Sequence, residues 1–246
     1  MKYISHRGES MDAPENTLEA FKLSLERHSD GMECDIRLTA DNVLVTAHDN
    51  TALRTGKVDI VIEESTYEEL RKVDVSNGRN GYSNVHIPRF ADTLQYLGSR
   101  REYFVEIKEN DPAVIHAMIR ELDAAAIPEE QVTMISFQAD IVKLYKELYP
   151  HRKALFLETF RVYDDGRWEP TADQLIDKLS EIKADGVDIK GVLTFINADY
   201  VKKVQAAGYE FAVWTVDDKE SAGIFKSYGV NTLTSNCAAY LRNALG

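Results

Sequence analysis

The chain has 246 residues, 44% of them hydrophobic and 28% charged, a composition that is typical of a globular domain and excludes disordered and fibrous architectures. Its 29 basic and 41 acidic residues give a formal charge of -12, which disfavours nucleic acid and anionic membrane surfaces as partners. A small anionic substrate is still compatible with this charge, because a bound metal can reverse the local field.

The first residues of the chain and the spacing of its two cysteines indicate where in the cell the protein is located. Residues 1–6 run directly into a strand-like segment without an apolar leader, and no apolar stretch approaches the roughly 20 residues that cross a bilayer. Cys34 and Cys237 are far apart and lack the spacing of a metal site, so we interpret them as reduced, buried thiols. We therefore expect a cytoplasmic protein with no stable membrane anchor.

Strand-like and helix-like segments alternate along the chain. Short apolar runs predict eight strands, at residues 3–4, 31–36, 103–107, 132–135, 154–157, 191–193, 211–214 and 230–233. Helical periodicity predicts six helices, at residues 17–25, 113–122, 139–148, 172–182, 198–207 and 219–228. Asp111 and Pro112 suit the start of the second of these helices, and Gly208 and Gly229 suit the ends of the last two.

Eight strands that alternate with helices predict a closed parallel barrel of the (β/α)8 or TIM-barrel class, as a single domain over residues 1–246. The alternative is an open doubly wound sheet, but the chain has no Gly-rich dinucleotide fingerprint. One region interrupts the alternation after the second strand: an extra strand at 43–47, then a polar stretch with one helical segment around 67–73. We predict a small inserted subregion, about 49–91, over the face of the barrel where active sites form.

Two carboxylates lie on one face of the second predicted strand. Because side chains alternate along a strand, Glu33 and Asp35 share a face and Cys34 points the other way. Neighbouring carboxylates repel each other unless a cation lies between them, and two oxygen donors suit Mg²⁺ or Ca²⁺. The alternatives are a pair of exposed charges, or salt bridges to Arg37 or Lys108.

The third predicted strand repeats this pattern. Val105 and Ile107 face one way, and Glu106 and Lys108 face the other. A central barrel strand does not bury Glu and Lys without partners. Glu106 can complete a metal site of three carboxylates, and Lys108 can hold a phosphate oxygen. The alternative is a structural Glu–Lys pair inside the barrel.

His6 and His48 follow strand segments. A histidine with its ordinary pKa of about 6.5 can donate or accept a proton at neutral pH. Phosphodiester cleavage needs one group to take a proton from the nucleophile and another to protonate the leaving alkoxide, and two histidines can divide these tasks. Taken singly, each is more often a core or surface histidine, and we interpret the other four in that way: His28, His86, His116 and His151.

An ordered set of short motifs resembles the glycerophosphodiester phosphodiesterase family over essentially the whole chain. The motifs are His6-Arg7-Gly8, Glu15-Asn16-Thr17, Glu33-Cys34-Asp35-Ile36, His48-Asp49, Ile87-Pro88, Glu106-Ile107-Lys108, Ser136-Phe137, Val213-Trp214-Thr215-Val216 and Gly229-Val230-Asn231. The resemblance implies a barrel with a small insertion after the second strand, and metal-dependent hydrolysis of glycerophosphodiesters to sn-glycerol 3-phosphate and an alcohol.

The resemblance also implies roles for individual residues. It implies a divalent metal held by Glu33, Asp35 and Glu106, an acid–base pair of His6 and His48, phosphate contacts from Arg7 and Lys108, a cleft wall at Trp214, and further site residues at Glu15 and Asn16. Asn16 and Thr17 can equally cap the following helix, and Trp214 can equally be a core aromatic residue.

Three features depart from the family pattern. Leu233-Thr234-Ser235-Asn236-Cys237 replaces a stretch similar to Ile-Thr-Asp-Tyr-Pro, Leu53-Arg54-Thr55-Gly56 replaces Leu-x-Arg-Thr-Thr, and the insertion has few apolar residues. A polar insertion favours small water-soluble diesters.

Three alternative functions are compatible with parts of the sequence. A lysophospholipase D-like phosphodiesterase would be favoured by an exposed apolar patch on the insertion. The others are a catalytically silent barrel that binds phosphorylated ligands and a metal-dependent barrel aldolase, although an aldolase leaves the two histidines unexplained.

Overall fold

The structure is a computed structural model that describes residues 1–99 and 101–246. The described residues form eleven strands: β1 (Lys2–Ser5), β2 (Gly31–Leu38), β3 (Leu44–Thr46), β4 (Glu102–Ile107), β5 (Val132–Ser136), β6 (Lys153–Glu158), β7 (Arg161–Val162), β8 (Trp168–Glu169), β9 (Gly186–Lys190), β10 (Glu210–Trp214) and β11 (Thr232–Ser235). They also form ten α-helices: α1 (Leu18–Glu26), α2 (Leu53–Gly56), α3 (Tyr67–Leu70), α4 (Phe90–Thr93), α5 (Pro112–Ala124), α6 (Ala139–Leu148), α7 (Ala172–Ile182), α8 (Ala198–Ala206), α9 (Lys219–Ser227) and α10 (Ala238–Leu245).

Eight of these strands close into a parallel barrel. Their order around the ring is β1-β2-β4-β5-β6-β9-β10-β11, and β1 pairs with both β2 and β11. Three short strands lie outside the ring: β3 pairs antiparallel with β2, and β7 and β8 form a hairpin after β6. The predicted (β/α)8 barrel is therefore confirmed.

The helices begin and end at the signals that the sequence contains. Thr17 precedes α1, and its side chain accepts a hydrogen bond from the Ala20 amide. Asp111 caps α5 in the same way, with Pro112 at the first turn. Gly208 and Gly229 follow α8 and α9 with φ of 96° and 84°, a conformation that glycine adopts without a Cβ penalty.

Apolar side chains form two layers around the barrel wall. The larger cluster lies between the strands and the helices, and it contains Cys34 and Ile36 on the outer face of β2. A smaller cluster fills the barrel interior with Ile4, Phe104, Ile135, Leu155, Leu157 and Ala212. Ile4 and Phe104 stand two residues before His6 and Glu106, so they share a strand face with them. The interior cluster therefore forms an apolar floor beneath the polar end of the barrel.

β3 and the segment that follows it share a separate apolar cluster. Val45, Ala52, Ile62, Leu70, Val73, Val75, Val85 and Ile87 are all buried in it, and we call this group the insertion cluster. Isolated bridges join Thr51 to Val61 and Val45 to Arg89. The predicted extra strand is present as β3, and the predicted helical segment is present as the short helix α3.

Two predicted strands are placed differently in the structure. The sixth was predicted at 191–193 but forms as β9, Gly186–Lys190, so that prediction is wrong. The eighth lies at Thr232–Ser235 rather than at 230–233. The hairpin of β7 and β8 and the C-terminal helix α10 were not predicted. Within the described ranges, no helix has the length and apolar character needed to cross a bilayer.

Candidate active site

Three carboxylates meet at the polar end of the barrel. Glu33 and Asp35 project from the inner face of β2, and Glu106 projects from β4, where it is the register partner of Asp35. One oxygen of each carboxylate lies within 4.8 Å of the other two. The three residues are 2%, 1% and 8% exposed, so the negative charge is concentrated where water screens it poorly. The structure thus brings together the three residues that the sequence suggested as metal ligands.

Two cationic side chains lie against this cluster. The Arg7 Nε atom is 3.2 Å from Asp35 Oδ2, and the Arg7 backbone amide donates to Glu33 Oε2 at 2.8 Å. The Lys108 Nζ atom is 2.6 Å from Glu106 Oε1 and 3.3 Å from Asp35 Oδ1. Arg7 and Lys108 therefore offset part of the charge, and each approaches a different side of Asp35.

The three carboxyl groups have divergent pKa values. Burial, together with the charge of Asp35, raises the pKa of Glu33 well above its usual range and that of Glu106 to about 8. Burial also opposes ionisation of Asp35, but Arg7 and Lys108 outweigh it and hold the pKa of Asp35 below its ordinary value. Two cations alone therefore do not keep all three groups ionised at neutral pH.

The donor set fits a divalent metal. Three carboxylates within one small volume supply the oxygen ligands that Mg²⁺ and Ca²⁺ prefer. In addition, Asp35 Oδ1 is buried and makes no hydrogen bond within the described residues. A bound cation would partner this atom, and it would lower the pKa of Glu33 and Glu106 by its charge.

His6 is held by a chain of hydrogen bonds behind its ring. Its Nδ1 atom lies 2.8 Å from Asn236 Oδ1, and the Asn236 amide nitrogen donates to Asp217 Oδ2 at 2.7 Å. Because the amide nitrogen is used in this way, the amide oxygen faces His6, and the His6 Nδ1 atom carries the proton. Burial and the adjacent Arg7 lower the pKa of His6 to about 4. At neutral pH the ring is neutral, with a free lone pair on Nε2.

His48 is supported by residues of the segment that follows β3. Its Nδ1 atom lies 2.7 Å from Asp49 Oδ1, and the other Asp49 oxygen accepts from Arg54 Nε at 2.6 Å. The His48 carbonyl accepts from Arg37 Nη2 at 2.9 Å. Burial lowers the pKa of His48, although the charge of Asp35 opposes this shift. Both histidines are therefore held at one ring nitrogen by a neighbouring acceptor.

A cleft of about 260 Å³ opens above these groups. Its lining includes six of the predicted site residues, namely His6, Arg7, Glu33, His48, Glu106 and Trp214, together with Ile135, Phe137, Leu157, Asp188 and Thr234. The rings of Phe137 and Trp214 meet edge to face, with centroids 5.6 Å apart. Asp35 and Lys108 lie beside this lining, where Lys108 pairs with both Asp35 and Glu106.

Glu15 and Asn16 lie behind the cleft and support other site residues. The Asn16 amide donates to Asp35 Oδ2 at 2.7 Å, and the residue that caps α1 is Thr17. Glu15 accepts from Arg7 Nη1 at 2.7 Å and also pairs with Arg54. Arg7 and Asn16 both have φ of 55°, a left-handed conformation that is uncommon for arginine. The hydrogen bonds of Asn16 and Glu15 stabilise this turn.

Sequence reasoning missed three polar residues of this region. Asn236 lies in the loop after β11, where the sequence departs from the family pattern. Asp188 lies on the strand that was predicted too late in the chain, and Thr234 lies on the strand whose bounds were shifted. Alternation of Val187 and Ile189 around Asp188 is the signal that could have placed this residue on an inner strand face.

Comparison with known proteins places the chain in a family. The sequence profile of the glycerophosphoryl diester phosphodiesterase family matches residues 6–238. A glycerophosphodiester phosphodiesterase from Caldanaerobacter subterraneus subsp. tengcongensis is 29% identical over 239 residues, which covers 95% of this chain and 93% of that protein.

Solved structures show the same architecture. A glycerophosphodiester phosphodiesterase from Parabacteroides distasonis superposes with a TM-score of 0.78 at 26% identity, over 99% of this chain and 96% of that one. A phosphodiesterase from Oleispira antarctica, solved in complex with the product sn-glycerol-3-phosphate, gives a TM-score of 0.86 at 24% identity, over 100% and 96% of the two chains. At this identity, the similarity to the Oleispira antarctica structure is a similarity of fold. With a family profile that covers nearly its whole length, the chain belongs to the glycerophosphoryl diester phosphodiesterase family and is an enzyme of that type.

Proposed function

We propose that this chain hydrolyses glycerophosphodiesters to sn-glycerol 3-phosphate and an alcohol, in a reaction that requires a divalent metal and a pair of histidines. The observation that carries the proposal is a single cleft that is lined by His6 and His48 and by two members of the buried carboxylate cluster, Glu33 and Glu106. Family membership supports the substrate class, since the relatives named above are phosphodiesterases of glycerophosphodiesters.

Glu33, Asp35 and Glu106 are the residues that would hold the metal, with Mg²⁺ and Ca²⁺ as the candidates. When bound, such an ion supplies positive charge to the phosphate oxygens as negative charge develops on them in the transition state. Arg7 and Lys108 add to this positive charge from the protein itself. Both cations lie within 3.3 Å of Asp35, so the phosphate is expected beside this carboxylate cluster.

The two histidines divide the proton transfers. One removes a proton from the attacking hydroxyl, which is water or the glycerol 2-hydroxyl, and the other protonates the departing alcohol. The resting structure suits proton acceptance at His6, whose ring is neutral and whose Nδ1 proton is committed to Asn236. His48 is fixed by Asp49 in a comparable way. Trp214 and Phe137 wall the cleft and limit the access of water to the reacting groups.

The inserted segment favours small substrates over lipids. Most of its apolar side chains are buried in the insertion cluster, and Leu53 and Val58 are the large apolar side chains that it exposes among the described residues. A lysophospholipid would need a longer apolar surface next to the cleft. We therefore place water-soluble diesters ahead of the lysophospholipase D-like alternative. A silent phosphate-binding barrel is less well supported, because binding alone has no need of two histidines oriented by hydrogen bonds.

Replacement of each histidine tests the acid–base pair. His6→Ala and His48→Ala should each reduce turnover of glycerophosphocholine by about 10² to 10⁴-fold, with the fold retained by circular dichroism. His151→Ala is the matched control, because His151 is 61% exposed and pairs with Glu129 far from the cleft. Near-full activity of His6→Ala, measured as release of sn-glycerol 3-phosphate, would exclude His6 from the mechanism.

A cytoplasmic location and the absence of a nucleic-acid partner stay predictions. The charge of -12 and the two unpaired cysteines support them. Cell fractionation and a nucleic-acid mobility-shift assay are the direct measurements.

A further inference from the structure

The lining of the cleft contains two buried oxygen atoms without hydrogen-bond partners among the described residues. Asp188 on β9 and Thr234 on β11 are 1% and 2% exposed, and both line the cleft. Asp188 Oδ1 and Thr234 Oγ1 make no hydrogen bond to any residue in 1–99 or 101–246. In the ring of eight strands, β9 lies four positions from β2, so Asp188 faces the metal-binding side across the barrel.

Among the described residues, no cationic side chain pairs with Asp188. Its register neighbours are Leu157 on β6 and Ala212 on β10, and both belong to the apolar floor. Burial alone raises the pKa of Asp188 to about 8. At neutral pH the side chain is therefore a neutral carboxylic acid, which can both donate and accept a hydrogen bond.

The geometry of Asp188 is fixed from the adjacent strand. The Trp214 Nε1 atom donates to the Asp188 carbonyl at 3.0 Å, which uses the polar atom of the indole and leaves its ring as an apolar wall. The carboxyl group of Asp188 and the hydroxyl of Thr234 are thus held on the two strands that flank β10. Buried polar groups in folded proteins are nearly always paired, so two such groups that line one cleft suit a polar ligand bound there.

We propose that Asp188 and Thr234 form a hydroxyl-binding subsite, which holds the hydroxyl groups of the glycerol part of the substrate while its phosphate lies at the carboxylate cluster. This inference rests on the proposed function for the position of the phosphate. Hydroxyl groups match the subsite because each donates and accepts, as Asp188 and Thr234 do. A cationic head group matches it less well, because a protonated carboxyl group offers no charge to attract it.

Selectivity for hydroxylated substrates follows. A diester or monoester that lacks hydroxyl groups would leave both buried oxygens unpaired, and sites built to hydrogen-bond a hydroxyl strongly reject analogues without one. Asp188 and Thr234 are therefore specificity-determining residues, and the ratio of affinities for hydroxylated and unhydroxylated phosphates is the quantity that they control.

Calorimetric titration of the whole chain in Mg²⁺ tests this subsite, with sn-glycerol 3-phosphate and methyl phosphate as the two probes. The wild-type protein should bind sn-glycerol 3-phosphate at least about tenfold more tightly than methyl phosphate. Asp188→Leu and Thr234→Val should each reduce this preference to about threefold or less, because one hydroxyl partner is lost. Asp188→Asn should retain most of it, since an amide also donates and accepts.

Thr232→Val is the matched control, because Thr232 lies two residues before Thr234 on β11 and is absent from the cleft lining. This variant should prefer sn-glycerol 3-phosphate over methyl phosphate by the same factor as the wild-type protein. An equal affinity of the wild-type protein for both probes, no binding of either, or an unchanged preference in both Asp188→Leu and Thr234→Val would overturn the subsite. Turnover of a glycerophosphodiester distinguishes failure of the proposed function from failure of the subsite. A preference without diester hydrolysis would contradict the proposed function alone, whereas hydrolysis without a preference would contradict the subsite alone.

Discussion

Asp188 gives the folded protein a stability that depends on pH. Its pKa is raised to about 8 in the folded state, against 3.8 for an ordinary aspartate. Below about pH 4 both states are protonated, whereas between pH 4 and 8 only the unfolded state releases the proton. The contribution of Asp188 to the free energy of unfolding therefore falls as pH rises through that window, by about 1.4 kcal/mol per pH unit.

Asp188→Asn removes this titration, so the variant should gain stability over the wild type progressively from pH 4 to pH 8. Urea unfolding of both proteins at pH 4, 6 and 8 measures the difference. The difference should total on the order of 5 kcal/mol. A difference that stays constant across the three pH values would contradict a raised pKa at Asp188.

Residues of the site differ in how far the sequence predicts them. Glu33, Asp35 and Glu106 are predictable because alternation places Glu33 and Asp35 on one face of β2 and Glu106 on the polar face of β4, and buried like charges need a cation. Asn236 and Asp188 are not predictable from the sequence, because their positions at the cleft arise only when strands distant in sequence come together in the closed barrel. Asn236 contacts His6, which is 230 residues away in the chain.

The turn between β1 and α1 is where an element depends on a single glycine. Gly8 has φ of 78°, and a Cβ atom placed on it would lie 2.5 Å from the Ala20 carbonyl carbon in α1. Gly8→Ala therefore combines backbone strain with a clash against helix backbone, and it should reduce the free energy of unfolding by more than about 2 kcal/mol. Because Arg7 precedes this turn, the activity of any folded fraction should also fall.

Gly208→Ala is the matched control for that substitution. Gly208 has φ of 96° after α8, but no atom lies within 4 Å of the position of its Cβ. Strain without a clash should cost about 1 kcal/mol. Chemical unfolding of the two variants separates the contributions, and equal destabilisation by Gly8→Ala and Gly208→Ala would show that α1 packs less closely on this turn.

At the scale of elements, the helices follow from the sequence more faithfully than the strands. All six predicted helices are present, because periodic apolar residues and caps define them over nine to thirteen residues. The error at β9 has a physical cause: its inner face has Gly186, Asp188 and Lys190 instead of an apolar run. A strand that contributes polar side chains to a cleft loses the continuous apolar character of a buried parallel strand.

For the whole molecule, closure of the barrel was predictable because eight alternating βα units have few other arrangements. The way in which the inserted segment joins the barrel was not predictable, because that connection depends on ion pairs between residues that are distant in sequence. Arg37 on β2 lies 3.1 Å from Glu63 of the insertion, and Arg54 of the insertion lies 2.6 Å from Glu15. From these pairs and the bridge of Val45 to Arg89, we predict that the barrel and the inserted segment unfold together.

Leu70→Ala tests whether the chain behaves as one domain. Leu70 is fully buried in the insertion cluster, so truncation should cost about 2 to 5 kcal/mol. In one cooperative domain, calorimetry should show a single transition that moves to lower temperature, whereas Leu53→Ala, at a side chain that is 54% exposed, should move it little. A second, separate transition in Leu70→Ala would show that the insertion unfolds independently.

Metal-dependent release of sn-glycerol 3-phosphate is the measurement that bears most directly on the proposed function. With Mg²⁺ or Ca²⁺, the protein should release it from glycerophosphocholine and glycerophosphoethanolamine. EDTA should abolish release, and added metal should restore it. Glu33→Ala should lose the activity, because it removes one of the three buried carboxylates, whereas Glu220→Ala on the exposed face of α9 should retain it. Release that persists in EDTA and in Glu33→Ala, or no release while metal is bound, would contradict a metal-dependent glycerophosphodiester phosphodiesterase.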